Sequence, residues 1–395
     1  MPPWDLIIVG AGPAGTSTAL HLAARHPELA GRTLLLEKET FPREKFCAGA
    51  LSGRGVQLLA RLGLGVDVPH LPLGQVELRT PRHALKVAQP GLGVVVRRLE
   101  FDHHLAKAAV AAGVTLREGC KVVGVAPGGR GVRVSLADGE VLEARAVVGA
   151  DGVGSAVRRA AGFSPGTLRA QVLELDTPEV PGDPAPDQLR FDASRREIPG
   201  YTWDFPTLVQ GERLVSRGVY ALAAPGNDLR GWLGQELDRR GLRLGDYRLK
   251  AFGERGFDPR EPIAAPGLML VGEAAGVDIA TGEGIAQALG WGALAAAALD
   301  RAARTGDWSF QRWRRDAVCS RLGGDFVLRW LCYGFWYGGG RRQAFTEALL
   351  RHNPEIMAMY AEDFAGVGPR LGTVLRGGLY AGWAAAQGLV AAARA

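Results

Sequence analysis

Cysteine is scarce in this 395-residue chain, which has only Cys47, Cys120, Cys319 and Cys332. None of the four forms a CxxC pair or shows the spacing of zinc ligands, so the sequence indicates neither a disulfide framework nor a metal site. Scattered, unpaired cysteines are typical of a reducing compartment. We therefore expect a cytoplasmic protein.

Long hydrophobic runs are also missing. The longest uncharged run, 377–393, is short, rich in glycine and alanine, and interrupted by Gln387, so no transmembrane helix is predicted. The first strand pattern begins at Asp5, which leaves too little chain for a secretory leader ahead of it. We expect the protein to stay on the side of the membrane where it is made, and peripheral contact with the inner face of the membrane remains open.

No block of five or more basic residues occurs, although the formal net charge is +6. Because the positive charge is spread along the chain, no nucleic-acid partner is expected. Apolar residues make up 47% of the chain and charged residues 22%, which is close to globular averages and argues against disorder. A chain of 395 residues exceeds what one core usually organises and fits two coupled domains.

The clearest motif is a glycine-rich turn after a short apolar, β-branched run. Gly10, Gly12 and Gly15 form GxGxxG, and a helical pattern follows over 16–24. Gly10 permits the turn, Gly12 lets backbone N–H groups approach a pyrophosphate, and Gly15 allows the helix to pack closely on the strand. A second apolar run ends at Glu37, about 20 residues further on, where a carboxylate can bind ribose hydroxyls. This unit predicts a dinucleotide site without deciding between NAD and FAD.

Two later segments also run from a strand into a glycine-rich turn. Residues 147–158 carry Asp151 in the turn, and residues 268–276 are followed at 281–285 by the start of an alanine-rich helix. Together with GxGxxG, these segments resemble the GxGxxG, Asp-Gly and Gly-Asp motifs of the FAD-dependent hydroxylase and geranylgeranyl-reductase superfamily. The resemblance spans most of residues 5–300 and implies FAD as the cofactor.

The resemblance also assigns roles to single residues. Asp151 would lie near the pyrophosphate and assist a reducing nucleotide, and the acid after Gly272 would bind a ribityl or pyrophosphate-side oxygen. That acid is Glu273 where the family has Asp, so its carboxylate lies one methylene further out. The helix start at 282–285 would face the flavin pyrimidine edge, where negative charge develops on reduction. The implied cofactor-binding residues are Gly10, Gly12, Pro13, Ala14, Gly15, Glu37, Lys38, Arg98, Val123, Asp151, Gly272, Glu273, Gly282, Gly284 and Ile285.

Arg98 opens a segment, 98–105, that resembles the R-x-x-F-D-x-x-L segment of the same superfamily, in which the arginine approaches FAD. A solvated surface arginine is the alternative, and neighbouring Arg97 competes for the role. No second GxGxxG follows a strand further along the chain, which argues against a dedicated NAD(P)H domain. Electrons are therefore expected from transiently bound NAD(P)H or from a small redox protein.

The predicted fold class is α/β. Apolar alternation between 76 and 96 favours a hairpin, and similar alternation at 170–175 and 213–220 favours further strands of one antiparallel sheet. We expect three parts. They are a discontinuous Rossmann-like FAD-binding domain (1–75, 95–165 and 258–300), an inserted antiparallel β-sheet substrate domain (76–94 and 166–257) and a helical C-terminal region (301–395).

Three aromatic residues, Tyr201, Trp203 and Phe205, occupy alternate positions before a proline. In a strand their rings share one face, which suits an ordinary core as well as a binding site. The segment resembles the Y-x-W-x-F-P motif of geranylgeranyl reductases, which implies a substrate cavity for a polyprenyl chain. It resembles less closely the W-x-W-x-I-P motif of flavin-dependent halogenases.

Residues 45–52 resemble the K-P-C-G-G loop of those reductases, in which a cysteine sits where substrate approaches the flavin. By this resemblance Cys47 is the catalytic candidate, and a small buried hydrophobic residue is the alternative. Phe46 and Ala48 replace the proline and a glycine of that loop. The connection 277–281 is also shorter than in the reductases and lacks their proline.

Helical spacing from about residue 307 onward predicts a helical lid that contains an aromatic cluster at 330–337. Aromatic residues beside Arg341 and Arg342 suit a wall for a long apolar ligand or contact with a membrane interface. Packing against the FAD-binding domain is the alternative.

These features predict an FAD-dependent oxidoreductase that adds hydride from reduced FAD to a carbon–carbon double bond of an isoprenoid or similarly lipophilic substrate. Cys47 or a loop-bound water would supply the proton. The runner-up is an FAD-dependent monooxygenase or halogenase-like enzyme acting on an aromatic substrate, which a protein partner could carry. A non-catalytic FAD-binding factor is a third class, which Glu273 alone does not support.

Overall fold

The computed structural model describes residues 4–129, 131–337, 350 and 355–368, without the side chains of Cys332, Phe335 and Trp336. The strands are β1 (Trp4–Val9), β2 (Thr33–Leu36), β3 (Ala50–Ser52), β4 (His70–Arg79), β5 (Ala84–Val96), β6 (Thr115–Arg117), β7 (Val122–Gly128), β8 (Gly131–Leu136), β9 (Val141–Gly149), β10 (Arg169–Thr177), β11 (Gln188–Asp192), β12 (Gly200–Val209), β13 (Glu212–Leu222), β14 (Lys250–Arg255), β15 (Ala264–Ala265) and β16 (Leu268–Leu270). The α-helices are α1 (Pro13–Arg25), α2 (Pro27–Ala30), α3 (Gly53–Ala60), α4 (Arg98–Ala111), α5 (Ala156–Ala160), α6 (Leu229–Asp238), α7 (Ile285–Thr305), α8 (Trp313–Val318), α9 (Arg321–Tyr337) and α10 (Glu355–Phe364).

The first sheet contains the strands of the predicted dinucleotide-binding unit. Its order is β15-β16-β9-β1-β2-β6, and the pairs from β16 to β6 are all parallel. Residues 6–9 and 33–36 are buried throughout, as expected of parallel strands covered on both faces. Strands β7 and β8 extend this sheet from β9 by antiparallel pairing.

Helix α1 begins at Pro13, earlier than its apolar pattern suggests, because proline suits the first helical position after an extended Gly12. It packs against α7, where the Ser17 hydroxyl donates to the Leu289 carbonyl at 2.7 Å. The two helices approach closely at Gly292, where a Cβ would lie 2.5 Å from that of Ser17. This contact holds the last predicted FAD segment against the first.

The second sheet has the order β14-β10-β13-β12-β11-β4-β5-β3. The hairpin predicted between 76 and 96 is confirmed by the antiparallel pairing of β4 with β5, and the strands predicted at 170–175 and 213–220 pair as β10 and β13. One pair departs from the antiparallel pattern, since β11 and β4 are parallel. Strand β11 reaches β4 after a long connection rather than through a tight turn, which permits this direction.

The first strand of the second sheet lies earlier in the chain than the predicted substrate domain begins. Strand β3 pairs with β5, although it lies within the stretch 1–75 assigned to the FAD-binding domain, and β4 begins at His70. The domain boundaries proposed from the sequence stay predictions.

The predicted C-terminal helical region contains α8, α9 and α10. Trp330, Tyr333 and Tyr337 of α9 pack against the hydrophobic cluster of the second sheet. The described part of the chain does not include the remaining aromatic side chains of the cluster. It also does not include Arg341, Arg342 and the run 377–393.

No helix among the described residues is long and apolar enough to cross a membrane. In the same residues no group of three or more histidine, cysteine or acidic side chains could hold a metal ion. Cys47, Cys120 and Cys319 are free thiols.

Candidate functional site

The first and second motifs meet at the end of β1. Gly10 has a φ of +101°, and a Cβ there would lie 2.5 Å from the Ala150 carbonyl oxygen. A Cβ on Gly15 would collide with the carbonyl of Gly10. Both positions therefore exclude a side chain because protein backbone fills the space, as the GxGxxG interpretation requires.

Gly12 is different, because the space beside it is open and positively charged. A Cβ on Gly12 would have only Arg98 Nη2 at 3.8 Å and Arg43 Nη2 at 3.9 Å as near neighbours. Gly12 is also the N-cap of α1, whose first N–H groups point towards the same place. An open cradle with two guanidinium groups and a helix N-terminus fits the pyrophosphate of a dinucleotide.

Asp102 positions both guanidinium groups. It is fully buried and accepts hydrogen bonds from Arg98 at 2.6 and 2.8 Å and from Arg43 at 2.8 Å. Burial alone would lower the pKa of Arg98, but Asp102 raises it, so the arginine stays charged. Arg97 bonds Asp176 at 3.2 Å, so Arg98 is the arginine that lies at the cradle. Sequence reasoning missed Arg43, whose place depends on Asp102.

Glu37 closes the other side of the turn. Its Oε2 accepts the Ala11 N–H at 3.1 Å and Arg43 Nη2 at 3.3 Å, and its side chain is 5% exposed. By contrast, the Lys38 side chain is 65% exposed and Val123 on β7 is 54% exposed. Their predicted cofactor contacts remain predictions.

Asp151 caps a short helix. Its carboxylate accepts from the Ser155 hydroxyl at 2.5 Å and from the backbone N–H groups of Ala156 and Val157 at 2.7 and 3.1 Å. Burial nevertheless raises the pKa of this carboxyl. The interactions seen are structural, and a role towards a reducing nucleotide stays a prediction.

The third motif lies against the other two. Gly272 has a φ of +58°, and a Cβ there would lie 2.6 Å from that of Ala14. A Cβ on Gly152 would lie 3.6 Å from Glu273 Oε2. Segments that are more than 100 residues apart therefore converge on one site.

The start of α7 connects this site to the second sheet. The Tyr201 hydroxyl donates to the Thr281 carbonyl at 2.6 Å, and a Cβ on Gly282 would lie 2.9 Å from that hydroxyl oxygen. Tyr220 donates similarly to the Ile279 carbonyl at 2.8 Å. The predicted flavin-facing turn thus borders the aromatic strand β12.

A cavity lies at this border. Tyr201, Trp203 and Phe205 are each less than 10% exposed and all line it, so the three rings share one face as predicted. Further wall residues come from the Cys47 loop, the helix start at 281–285, and strands β10, β11, β13 and β14. Tyr360 and Phe364 of α10 close it from the C-terminal region.

Cys47 lines the same cavity. Its backbone N–H donates to Glu174 Oε1 at 3.0 Å, and its sulfur accepts the Gly49 N–H at 3.4 Å. Burial raises the pKa of the thiol. Burial also raises the pKa of Glu174 to about 7, although Lys250 lies 3.8 Å away. The Cys47 loop is therefore hydrogen-bonded to a carboxyl, Glu174, whose pKa is raised to about 7.

Glu254 is one of the cavity residues that the sequence did not predict. It lies on β14, its Oε2 is buried, and this oxygen has no hydrogen-bond partner among the residues described. The sequence does not distinguish a single acid on a strand from other surface or core acids, because its role depends on which face of the strand lines the cavity.

An ionic network fixes the connection 277–284. Arg329 of α9 pairs with Asp278, and Arg54 of α3 donates to Glu283 Oε2 at 2.8 Å. Arg54 also contacts Asp325 at 2.8 Å and so links the network to α9. The Tyr337 hydroxyl donates to the Ala280 carbonyl. The helical region thus holds the loop between the two sheets.

Comparison with known proteins gives the same cofactor. Residues 4–185 match a family model described as an FAD binding domain, which shows that FAD is the dinucleotide. The chain is 33% identical to a menaquinone reductase of Mycobacterium tuberculosis over 331 residues, which cover 75% of this chain and 76% of the relative. It is 29% identical to a digeranylgeranylglycerophospholipid reductase of Thermoplasma acidophilum, with 80% and 82% of the two chains covered.

A solved structure supports this grouping. A geranylgeranyl bacteriochlorophyll reductase-like protein of Thermoplasma acidophilum superposes with a TM-score of 0.72 at 25% identity, covering 84% of this chain and 87% of that one. The shared motifs, fold and relatives show that the chain belongs to the geranylgeranyl reductase family of FAD-dependent oxidoreductases, within the aromatic-hydroxylase-like flavoprotein superfamily.

Proposed function

We propose that this protein reduces carbon–carbon double bonds of an isoprenoid or similarly lipophilic substrate. The observation that carries the proposal is the cavity, whose apolar and aromatic wall meets the start of α7, where the flavin ring is expected. A long apolar chain is the ligand that such a wall binds best. The relatives fit, since their names specify a quinone and an isoprenoid phospholipid as substrates.

The residues around the cavity would have separate roles in binding the cofactor and the substrate. When bound and reduced, FAD supplies the hydride. Arg98 and Arg43 would neutralise the pyrophosphate, and the rings of Tyr201, Trp203 and Phe205 would orient the substrate and keep water out. Cys47 lies in the wall and is the proton donor proposed from the sequence.

The electron source and the site of action belong to the same proposal. Electrons would come from transiently bound NAD(P)H or a small redox protein, because no second GxGxxG follows a strand in the sequence. Peripheral contact with a membrane would give access to a lipid substrate. Leu328 and Leu331 of α9, which are 62% and 58% exposed, suit such contact.

Anaerobic reoxidation tests the reaction. Reduced protein that has been freed of excess dithionite and mixed with a polyprenyl phospholipid should recover the absorption of oxidised flavin without oxygen. Mass spectrometry should find two hydrogen atoms added per reduced double bond. An oxygen-dependent spectral intermediate that decays to a hydroxylated or halogenated product, with no anaerobic reoxidation by any isoprenoid, would instead establish the monooxygenase or halogenase alternative.

A further inference from the structure

Two acids lie in a wall that is otherwise largely apolar and aromatic, and of these Glu283 is paired with Arg54 at 2.8 Å, which leaves Glu254 as the acid considered for the substrate. Glu254 lines the cavity together with Phe252, two residues away on β14, and belongs to the same sheet as the aromatic strand β12. The residue is 9% exposed. Because Oε2 has no partner in the described ranges, its hydrogen-bonding capacity is free for a molecule in the cavity.

The same carboxyl lies beside the expected flavin position. A Cβ on Gly284 would lie 4.0 Å from Glu254 Oε1, and Gly284 is the N-cap of α7. Tyr201 approaches the neighbouring Gly282 from the aromatic wall. A substrate between that wall and the start of α7 would therefore contact Glu254.

The surroundings favour the neutral, protonated form of Glu254. Burial raises its pKa well above the ordinary value, and the negative charges of Glu273 and Asp278 raise it further. Lys45 on the Cys47 loop and the Tyr220 hydroxyl on β13 act in the opposite direction. The phenols of Tyr201 on β12 and Tyr337 on α9 face the same group and stay neutral, since burial raises their pKa values too. A neutral carboxylic acid in the cavity wall is a group suited to giving up a proton.

We propose that Glu254 is the catalytic acid of the double-bond reduction and that it protonates the alkene carbon that does not receive hydride. This inference rests on the proposed function. FAD, when bound and reduced, would supply the hydride, and with it both electrons, to one alkene carbon and would be left oxidised. The O–H bond of Glu254 breaks, its proton forms the C–H bond at the other carbon, and the carboxylate left facing Lys45 recovers a proton from water.

Cys47 is less suited to this step. Its sulfur already accepts the Gly49 N–H, and burial raises the pKa of a thiol that is a weak acid to begin with. In this proposal Cys47 lines the substrate cavity without giving up its proton.

Single-turnover reoxidation of Glu254→Gln tests the inference. The variant keeps the size and polarity of the side chain but loses the acidic proton. Anaerobic reoxidation by a polyprenyl lipid should slow by at least about 100-fold, with FAD absorption and melting temperature unchanged. Glu254→Asp should recover part of the rate, and Glu212→Gln, at the exposed start of β13, should match wild type. The wild-type rate should fall as the pH rises through the pKa of Glu254, and the Gln variant should lack that dependence.

Infrared difference spectra provide a readout without turnover. Oxidised wild-type protein should show the C=O band of a protonated carboxyl, shifted in D2O and absent from Glu254→Gln. The role of Glu254 would be overturned if the Glu254→Gln variant were reoxidised as fast as wild type, or if Cys47→Ala slowed reoxidation more than Glu254→Gln did. The proposed function would stand in either case. A wild-type protein that no polyprenyl lipid reoxidises would overturn the proposed function and this role together, even with the infrared band present.

Discussion

Single residues in the glycine-rich turn exclude side chains for two different reasons. Gly10 and Gly15 press against backbone carbonyls of the protein itself, so any larger residue there disturbs the fold. Gly12 has an extended conformation with a φ of −77° and open space beside it, so a side chain fits the protein but occupies the phosphate cradle. Substitution at Gly12 therefore separates cofactor binding from folding.

We expect Gly12→Val to fold and to lose FAD. The isopropyl group would fill the approach to the first N–H groups of α1 and displace the pyrophosphate from Arg98 and Arg43. The ratio of flavin to protein absorbance after purification measures the effect. Gly245→Val is the matched control, because Gly245 also avoids the left-handed region and has no neighbour within 4 Å. Full FAD occupancy in Gly12→Val would show that the phosphate site lies elsewhere.

Among the secondary-structure elements, α9 fixes a loop that precedes it in the chain by about 40 residues. Arg329 reaches from α9 to Asp278 and Glu283, which lie on either side of the turn that begins α7. All three side chains are largely buried. The helix therefore holds the predicted flavin-facing loop in place through charge pairs that water screens weakly.

Replacing Arg329 with Met should lower the free energy of unfolding. It leaves Asp278 and Glu283 without this partner, and breaking a buried pair from one side costs about 3–5 kcal/mol of unfolding free energy. Urea unfolding measures that loss, and slower or weaker FAD rebinding should accompany it. Arg301→Met is the control, since Arg301 is half exposed and pairs with Asp316 at 2.6 Å on the surface, where such pairs contribute about 0–1 kcal/mol. Equal losses in the two variants would contradict the assigned role of α9.

At the scale of the whole molecule, the dinucleotide site joins distant parts of the chain. Glu37 and Arg43 follow β2, Arg98 begins α4, and Gly272 follows β16. A ligand that contacts all of them binds only the folded molecule, so its binding energy adds to the stability of the whole.

The apoprotein should consequently melt at a higher temperature as FAD is added. One-site binding contributes about 2.7 kcal/mol at a free FAD concentration of 100 times Kd. FMN at the same concentrations should give a much smaller rise, because it lacks the adenosine half, for which the Glu37 carboxylate is the predicted partner. Differential scanning fluorimetry compares the two. Equal shifts with FAD and FMN would show that the Glu37 side of the site binds nothing.

Local spacing along the sequence determined the three motifs and the aromatic strand. A strand, a glycine turn and a helix follow one another within about 20 residues, and alternation alone puts Tyr201, Trp203 and Phe205 on one face. Such patterns depend on backbone geometry between near neighbours, so they can be recognised without knowledge of the fold.

Only the tertiary structure decided which distant side chains meet. Arg43 and Arg98 share the phosphate cradle because both bond Asp102, and Cys47 meets Glu174 because the loop after β2 reaches across to β10. Glu254 faces a cavity because β14 pairs with β10 in a register that turns residues 250, 252 and 254 to that side. Most of these contacts follow from strand order, register and the paths of loops between separate elements, which the spacing of residues along the chain does not specify.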